Sequence, residues 1–208
     1  MRGAYGHDAE RREAFAKTHG VPALASIQAI AADREIDAVL LLTPPNARIH
    51  EVTLLANAGK HILMEKPVER TTVAAEAIVG LCERAGVALG IVFQHRLRPA
   101  SLALKALLGG GRLGPIALVR LEVPWWRPQK GYYDVPGRGT LARDGGGVLI
   151  SQAIHAMDLM LSLLWQVDEV QAMAATTSLH EMETEDFAAA DLRFHSGASS
   201  SLMATTAA

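Results

Sequence analysis

Three short apolar runs, residues 38–42, His61–Glu65 and 87–93, alternate with two amphipathic stretches. In the first stretch Ile49, Val52 and Leu55 share a stripe that Gly59 ends. In the second, Thr71 or Thr72 opens a helix with Ala74, Ala77, Ile78, Leu81, Cys82 and Ala85 on its buried side, closed by Gly86. Strand, helix, strand, helix, strand with short links leaves one natural arrangement, a parallel sheet with right-handed crossovers. Residues 38–42 are apolar without alternation, the pattern of a strand covered on both faces. Upstream, Asp8 caps a helix ended by Gly20, and Ser26 caps a shorter one carrying Ile27 and Ile30.

After Arg96 the pattern changes. A helix over 99–108 ends in three glycines, and a strand over 116–123 leads into an aromatic, Pro- and Gly-rich loop over 125–144. A long helix follows over 148–165. Segments 169–178, 186–194 and 198–206 sit at hairpin spacing, so the second half reads as α+β with an open, antiparallel-rich sheet. Ala172, Ala174, Thr176, Ala188, Ala190, Ser199, Ser200 and Ser201 crowd these strands, which suits a flat face packing on another sheet.

Two segments carry chemistry. The strand His61–Glu65 runs into Lys66 and Pro67. Strand ends in such units lie at the carboxyl edge of the sheet, where open α/β sheets bind ligands. A partly desolvated lysine there can give or take a proton near neutral pH, and the proline bars helix at Lys66. The second segment, residues 144–158, holds Gly145, Gly146 and Gly147 at a helix start, then Ser151, His155 and Asp158. Spacings of four and three place Ser151 and His155 on one face and Asp158 within reach of the imidazole. A histidine one turn into a helix and facing a cleft suits general acid–base work. Ser151 otherwise reads as a packing residue, Cys82 as an inert core thiol, and His50 as either a site or a packing residue. Trp125, Trp126, Tyr132 and Tyr133 either line a substrate or form the apolar underside of the loop.

The bulk properties exclude other classes. A net charge of −2 gives no case for nucleic acid or an anionic membrane, and no apolar run has the length of a membrane helix. No apolar core follows Arg2, so no signal peptide is expected. The single Cys82 fits a reducing cytoplasm. His180-Glu181-Met182-Glu183 lacks the second histidine of a zinc helix, and no metal is expected.

Four features in order resemble the glucose–fructose oxidoreductase, inositol dehydrogenase and rhizopine-catabolism (Gfo/Idh/MocA) family. They are Leu42-Thr43-Pro44-Pro45-Asn46 with His50; the run from Gly59 to Pro67; Phe93-Gln94-His95-Arg96; and the triglycine helix with His155 and Asp158. The resemblance implies an incomplete Rossmann-like parallel sheet over 1–94 and an α+β substrate and dimerisation domain over 95–208. It implies hydride transfer between NAD or NADP and a sugar, polyol or cyclic diol. Thr43, Pro44, Pro45 and Asn46 would line the dinucleotide, with Glu65 and Lys66 near the nicotinamide. Lys66 and His155 would handle the hydroxyl proton. Arg96, Trp126, Arg127, Ser151 and Asp158 would contact the substrate, Ser151 standing where many members carry aspartate. The aromatic run 125–134 is similar to that of a dihydrodiol dehydrogenase branch. A homo-oligomer through the C-terminal sheet is also implied.

The family opens with strand, Gly-x-Gly-x-x-Gly, helix, strand, and this chain has no such element. The expectation is therefore a fragment of a longer enzyme, or a decayed copy, with weak NAD(P) binding. The alternative reading is a non-catalytic remnant that serves as a dimerisation or ligand-binding module.

Overall fold

The computed structural model describes residues 1–164 and 166–208; Trp165, the expected end of the long helix, lies outside the described residues. The chain divides into two units, Met1–Val92 and Phe93–Ala208.

The first unit opens with α1 (Ala9–His19), whose first turn is capped by Asp8 accepting from the Arg11 N–H at 3.0 Å. Ser26 caps α2 (Ile27–Ala32) in the same way. Then come β1 (Ala38–Leu41), α3 (Arg48–Asn57), β2 (His61–Glu65), α4 (Thr72–Ala85) and β3 (Leu89–Val92). The strands form a three-stranded parallel sheet in the order β1-β2-β3, with Leu41 beside Met64 and Met64 beside Ile91. Leu41, Ile62 and Met64 pack with Val52, Leu55, Ile78 and Cys82 in one core.

Coverage on both faces is not what the structure shows. Leu40 is 55% and Leu63 48% exposed. Strand order advances in one direction, so right-handed crossovers put α3 and α4 on the same face, and alternate side chains of β1 and β2 point away from them. The stripe on α3 also differs: Ile49 is exposed, and Arg48 and Glu51 are buried beside Val52, Leu55 and Ala56. On α4, Ile78 and Cys82 are buried while Ala77 and Ala85 face solvent.

Cys82 is 1% exposed, and burial pushes its thiol above the usual value. Thiolate is the reactive form, so a disulfide reagent is expected to leave the native protein unlabelled over minutes and to titrate one thiol once it is denatured. Rapid labelling of native protein would contradict this burial.

The second unit contains α5 (Pro99–Gly109), β4 (Leu118–Pro124), α6 (Ile154–Leu164), β5 (Val167–Ala175), β6 (Phe187–Phe194) and β7 (Ser199–Thr205). Its four-stranded sheet has the order β4-β7-β6-β5. β5, β6 and β7 are antiparallel, but β4 joins β7 in parallel, Leu118 beside Ser199, so the sheet is mixed. Val123, Val148, Ala153, Ala188, Leu202 and Ala204 form one core, and Met160, Phe194 and Ala198 another. The small residues do not share one face. Ala188 and Ser200 are buried, whereas Ser199 and Ser201 are exposed, paired across the strands with Arg193 and Asp191. The outer face is thus polar along β6 and β7. Among the described residues no helix is long and apolar enough to cross a membrane.

Candidate active site

In the first unit the carboxyl ends of β1 and β2 carry the expected cofactor residues. Thr43 and Pro44 follow β1, and Pro45–Ala47 forms one tight helical turn before α3. Glu65 ends β2, and Lys66, half-buried, joins Pro67 through a cis peptide bond. The Lys66 N–H donates to Glu65 Oε2 at 3.2 Å. The Thr43 hydroxyl oxygen is buried and has no hydrogen-bond partner among the described residues.

Between the two turns lies a residue that the sequence reading passed over. Arg48 is 2% exposed. Its Nε and Nη2 donate to the Thr43 carbonyl at 2.9 and 2.7 Å, and Nη1 donates to Glu65 O at 2.6 Å. Nη1 also bonds the carbonyls of Pro67 and Val68. Burial pulls the guanidinium below its usual value, opposed by Glu65, Glu69 and Glu51. A charged residue in the first turn of an amphipathic helix reads as solvent-facing, so periodicity gave no sign of it.

The second unit gathers a second set. His155, on α6, is buried, 7% exposed. Its ring lies 5.1 Å from that of His95 and 6.3 Å from that of Phe93. Burial and Arg98 hold His95 below the usual imidazole value, with Asp158 opposing. Asp158 was expected to orient His155. It accepts two bonds from Arg96, at 2.6 and 2.5 Å, and its carboxylate raises the Arg96 guanidinium further. Two candidate substrate contacts therefore hold each other.

Ser151 lies in a π-helical segment, Leu149–Ala153, so a spacing of four no longer places it squarely under His155. Its hydroxyl donates to the Gly147 carbonyl at 2.5 Å and also contacts Gln152 Oε1. Gln152, buried and not anticipated, donates to the Tyr132 hydroxyl at 2.6 Å. The Tyr132 ring has the Arg127 guanidinium 5.3 Å away and that of Arg138 at 4.3 Å. Trp126 is exposed, its ring 5.7 Å from His180.

His180 and Asp186 form a buried pair, Nδ1 to Oδ2 at 2.7 Å, and Nε2 lies 2.7 Å from the Arg127 carbonyl oxygen. Hydrogen bonds from Thr177 and His180 hold the Asp186 carboxyl below the usual range despite burial. This pair fixes the backbone of the aromatic loop at Arg127. The triglycine turn has its own occupant. Gly147 N–H and Leu149 N–H donate to the Glu185 carboxylate at 2.9 and 3.1 Å, and Val148 N–H donates to the Glu185 carbonyl at 2.8 Å. Among the described residues no three His, Cys, Asp or Glu side chains converge as metal ligands.

Two family models match the chain. Residues 1–93 match an oxidoreductase family with an NAD-binding Rossmann fold, and residues 101–208 match the Gfo/Idh/MocA C-terminal domain. A crystal structure of the WlbA dehydrogenase from Bordetella pertussis, in complex with NADH and UDP-GlcNAcA, is 32% identical with a TM-score of 0.90, covering 100% of this chain and 60% of that one. The 1,5-anhydro-D-fructose reductase of Ensifer adhaerens is 29% identical over 91% of this chain and 56% of its own length. The trans-1,2-dihydrobenzene-1,2-diol dehydrogenase of Oryctolagus cuniculus is 34% identical over 55% of this chain and 35% of its own length. The chain thus spans only part of the relatives it matches. With both halves matched in family order, and the parallel sheet followed by the mixed sheet, the chain belongs to the Gfo/Idh/MocA family of oxidoreductases.

Proposed function

We propose that this protein transfers hydride between a nicotinamide dinucleotide and a hydroxylated small molecule, a sugar, polyol or cyclic diol. The observation that carries this is the carboxyl edge of the parallel sheet. There a buried threonine hydroxyl, without a partner among the described residues, stands at one strand end and Lys66 at the next. Leaving a buried hydroxyl unpaired costs about 1–3 kcal/mol, which a ligand hydroxyl or amide would offset. Thr43, Pro44, Pro45 and Asn46 would hold the dinucleotide beside Glu65. A bound nicotinamide supplies the hydride-accepting or hydride-donating ring carbon. Lys66 Nζ and the His155 imidazole exchange the hydroxyl proton in this reading, with Arg96, Trp126, Arg127, Ser151 and Asp158 shaping the substrate side. Relatives named for a sugar reductase and a diol dehydrogenase support the substrate class. Binding of NADH and a sugar nucleotide by the Bordetella enzyme supports the cofactor class.

Calorimetric titration with NADH and with NADPH tests the reading, followed by absorbance assays over aldoses, polyols and cyclic diols. Weak but saturable binding of one nucleotide is expected, weakened about fivefold further in Thr43→Val, the loss of one hydrogen bond. Absence of heat with both nucleotides would refute the proposal. Binding without turnover on any substrate would favour the ligand-binding module instead.

A further inference from the structure

We infer that Arg48 is a positioning residue for the hydride-transfer site, on which reading the inference rests: it ties the turn after β1 to the turn after β2 and so sets where Lys66 stands. The β1–β2 pairing ends with Leu41 beside Met64, and β2 pairs with β3 only as far as Glu65 beside Val92, so the carbonyls of the turns that follow have no further ladder to join. Arg48 supplies the missing donors. One guanidinium reaches the carbonyl of Thr43 on one side and those of Glu65, Pro67 and Val68 on the other. Lys66 lies between two of the carbonyls so held, those of Glu65 and Pro67.

The geometry needs a planar fork. Lysine is a point charge on a flexible stem and cannot bond two turns at once in fixed orientation. Burying a guanidinium among carbonyls is a costly way to fill space, and an apolar side chain would fill it at less cost. The arrangement makes sense where the turns must keep a fixed spacing. Thr43 and Lys66, the two residues proposed to meet cofactor and substrate, are the ones bracketed. A misplacement of about 1 Å at a reacting group can cost about 10²-fold in rate, which gives such a clamp its leverage.

The test compares Arg48→Lys and Arg48→Met with the wild-type protein. Arg48→Lys retains charge and length and is the variant of choice if Arg48→Met fails to fold. Amide hydrogen exchange, read without any ligand, is expected to speed up about tenfold over residues 43–47 and 66–70 and to stay unchanged over α4. In steady state, kcat is expected to fall about 10²-fold with KM within about threefold, Arg48→Lys retaining more activity than Arg48→Met. Unchanged exchange at those turns overturns the inference, as does faster exchange with wild-type kcat. If the wild-type protein transfers no hydride, the dehydrogenase reading falls by itself. The exchange data then decide the clamp alone: acceleration at 43–47 and 66–70 keeps it, and no change removes it.

Discussion

Replacing Lys66 by methionine is expected to lower kcat about 10²–10⁴-fold, and His155→Asn to do the same, the range for a positioned proton-transfer group. That loss corresponds to about 2.7–5.5 kcal/mol of transition-state stabilisation. Methionine keeps most of the lysine stem, and Lys66 is only half-buried, so the fold should tolerate the change. A group that acts on a proton in the transition state contributes little to ground-state binding, so KM should move by no more than a few-fold. Burial and Arg98 hold the neighbouring His95 ring below the usual imidazole value, opposed by Asp158. Wild-type turnover in either single variant, measured on whichever substrate the panel identifies, would take that residue out of the reaction.

Gly147→Ala is expected to destabilise the second unit by about 4 kcal/mol. A Cβ at this position would lie 1.7 Å from the Glu185 carbonyl oxygen and 2.6 Å from its carbon. Those are backbone atoms and cannot swing aside. Relief requires the Glu185 strand lead-in to retreat, which gives up the bond from Val148 and the two from Gly147 and Leu149 to the carboxylate. Overpacking alone costs about 1–3 kcal/mol, and each lost bond to a charged group about 1.5–3 before relaxation. Gly146→Ala is the control: its Cβ meets only the Ile150 side chain, at 3.1 Å, and should cost under about 1 kcal/mol. Chemical denaturation followed by tryptophan fluorescence reads this unit alone, because all three tryptophans belong to it. Equal midpoints for the two alanine variants would show that the close approach at Gly147 carries no energy.

The elements of the first unit were legible because each is fixed locally. Asp8, Ser26 and Thr71 announce helix starts, Gly20 and Gly86 helix ends, and apolar runs the strands. The one-sided burial of Leu40 and Leu63 was not, since a continuous apolar run looks the same whether one face or two are covered. In the second unit the hairpin strands were readable from spacing, but the parallel seating of β4 beside β7 depends on residues far apart in the chain. The site shows the same division. Glu65, Lys66 and the Thr43 turn follow from strand ends and prolines. Arg48, Gln152 and His180 do not, because each is a polar residue whose partners are carbonyls or side chains brought in from elsewhere. The ion pair of Arg96 and Asp158, 62 positions apart, was likewise hidden.

The seating of β4 against β7 has a kinetic consequence. Leu118 must wait for Ser199, a separation of about 80 residues, and closing a loop of that length costs about 4 kcal/mol in chain entropy before any contact rewards it. The parallel sheet of the first unit closes through crossovers about a third as long and can assemble while synthesis continues. On the ribosome, β4 must remain without its neighbour until β7 has emerged, so this pairing is expected to form late in folding.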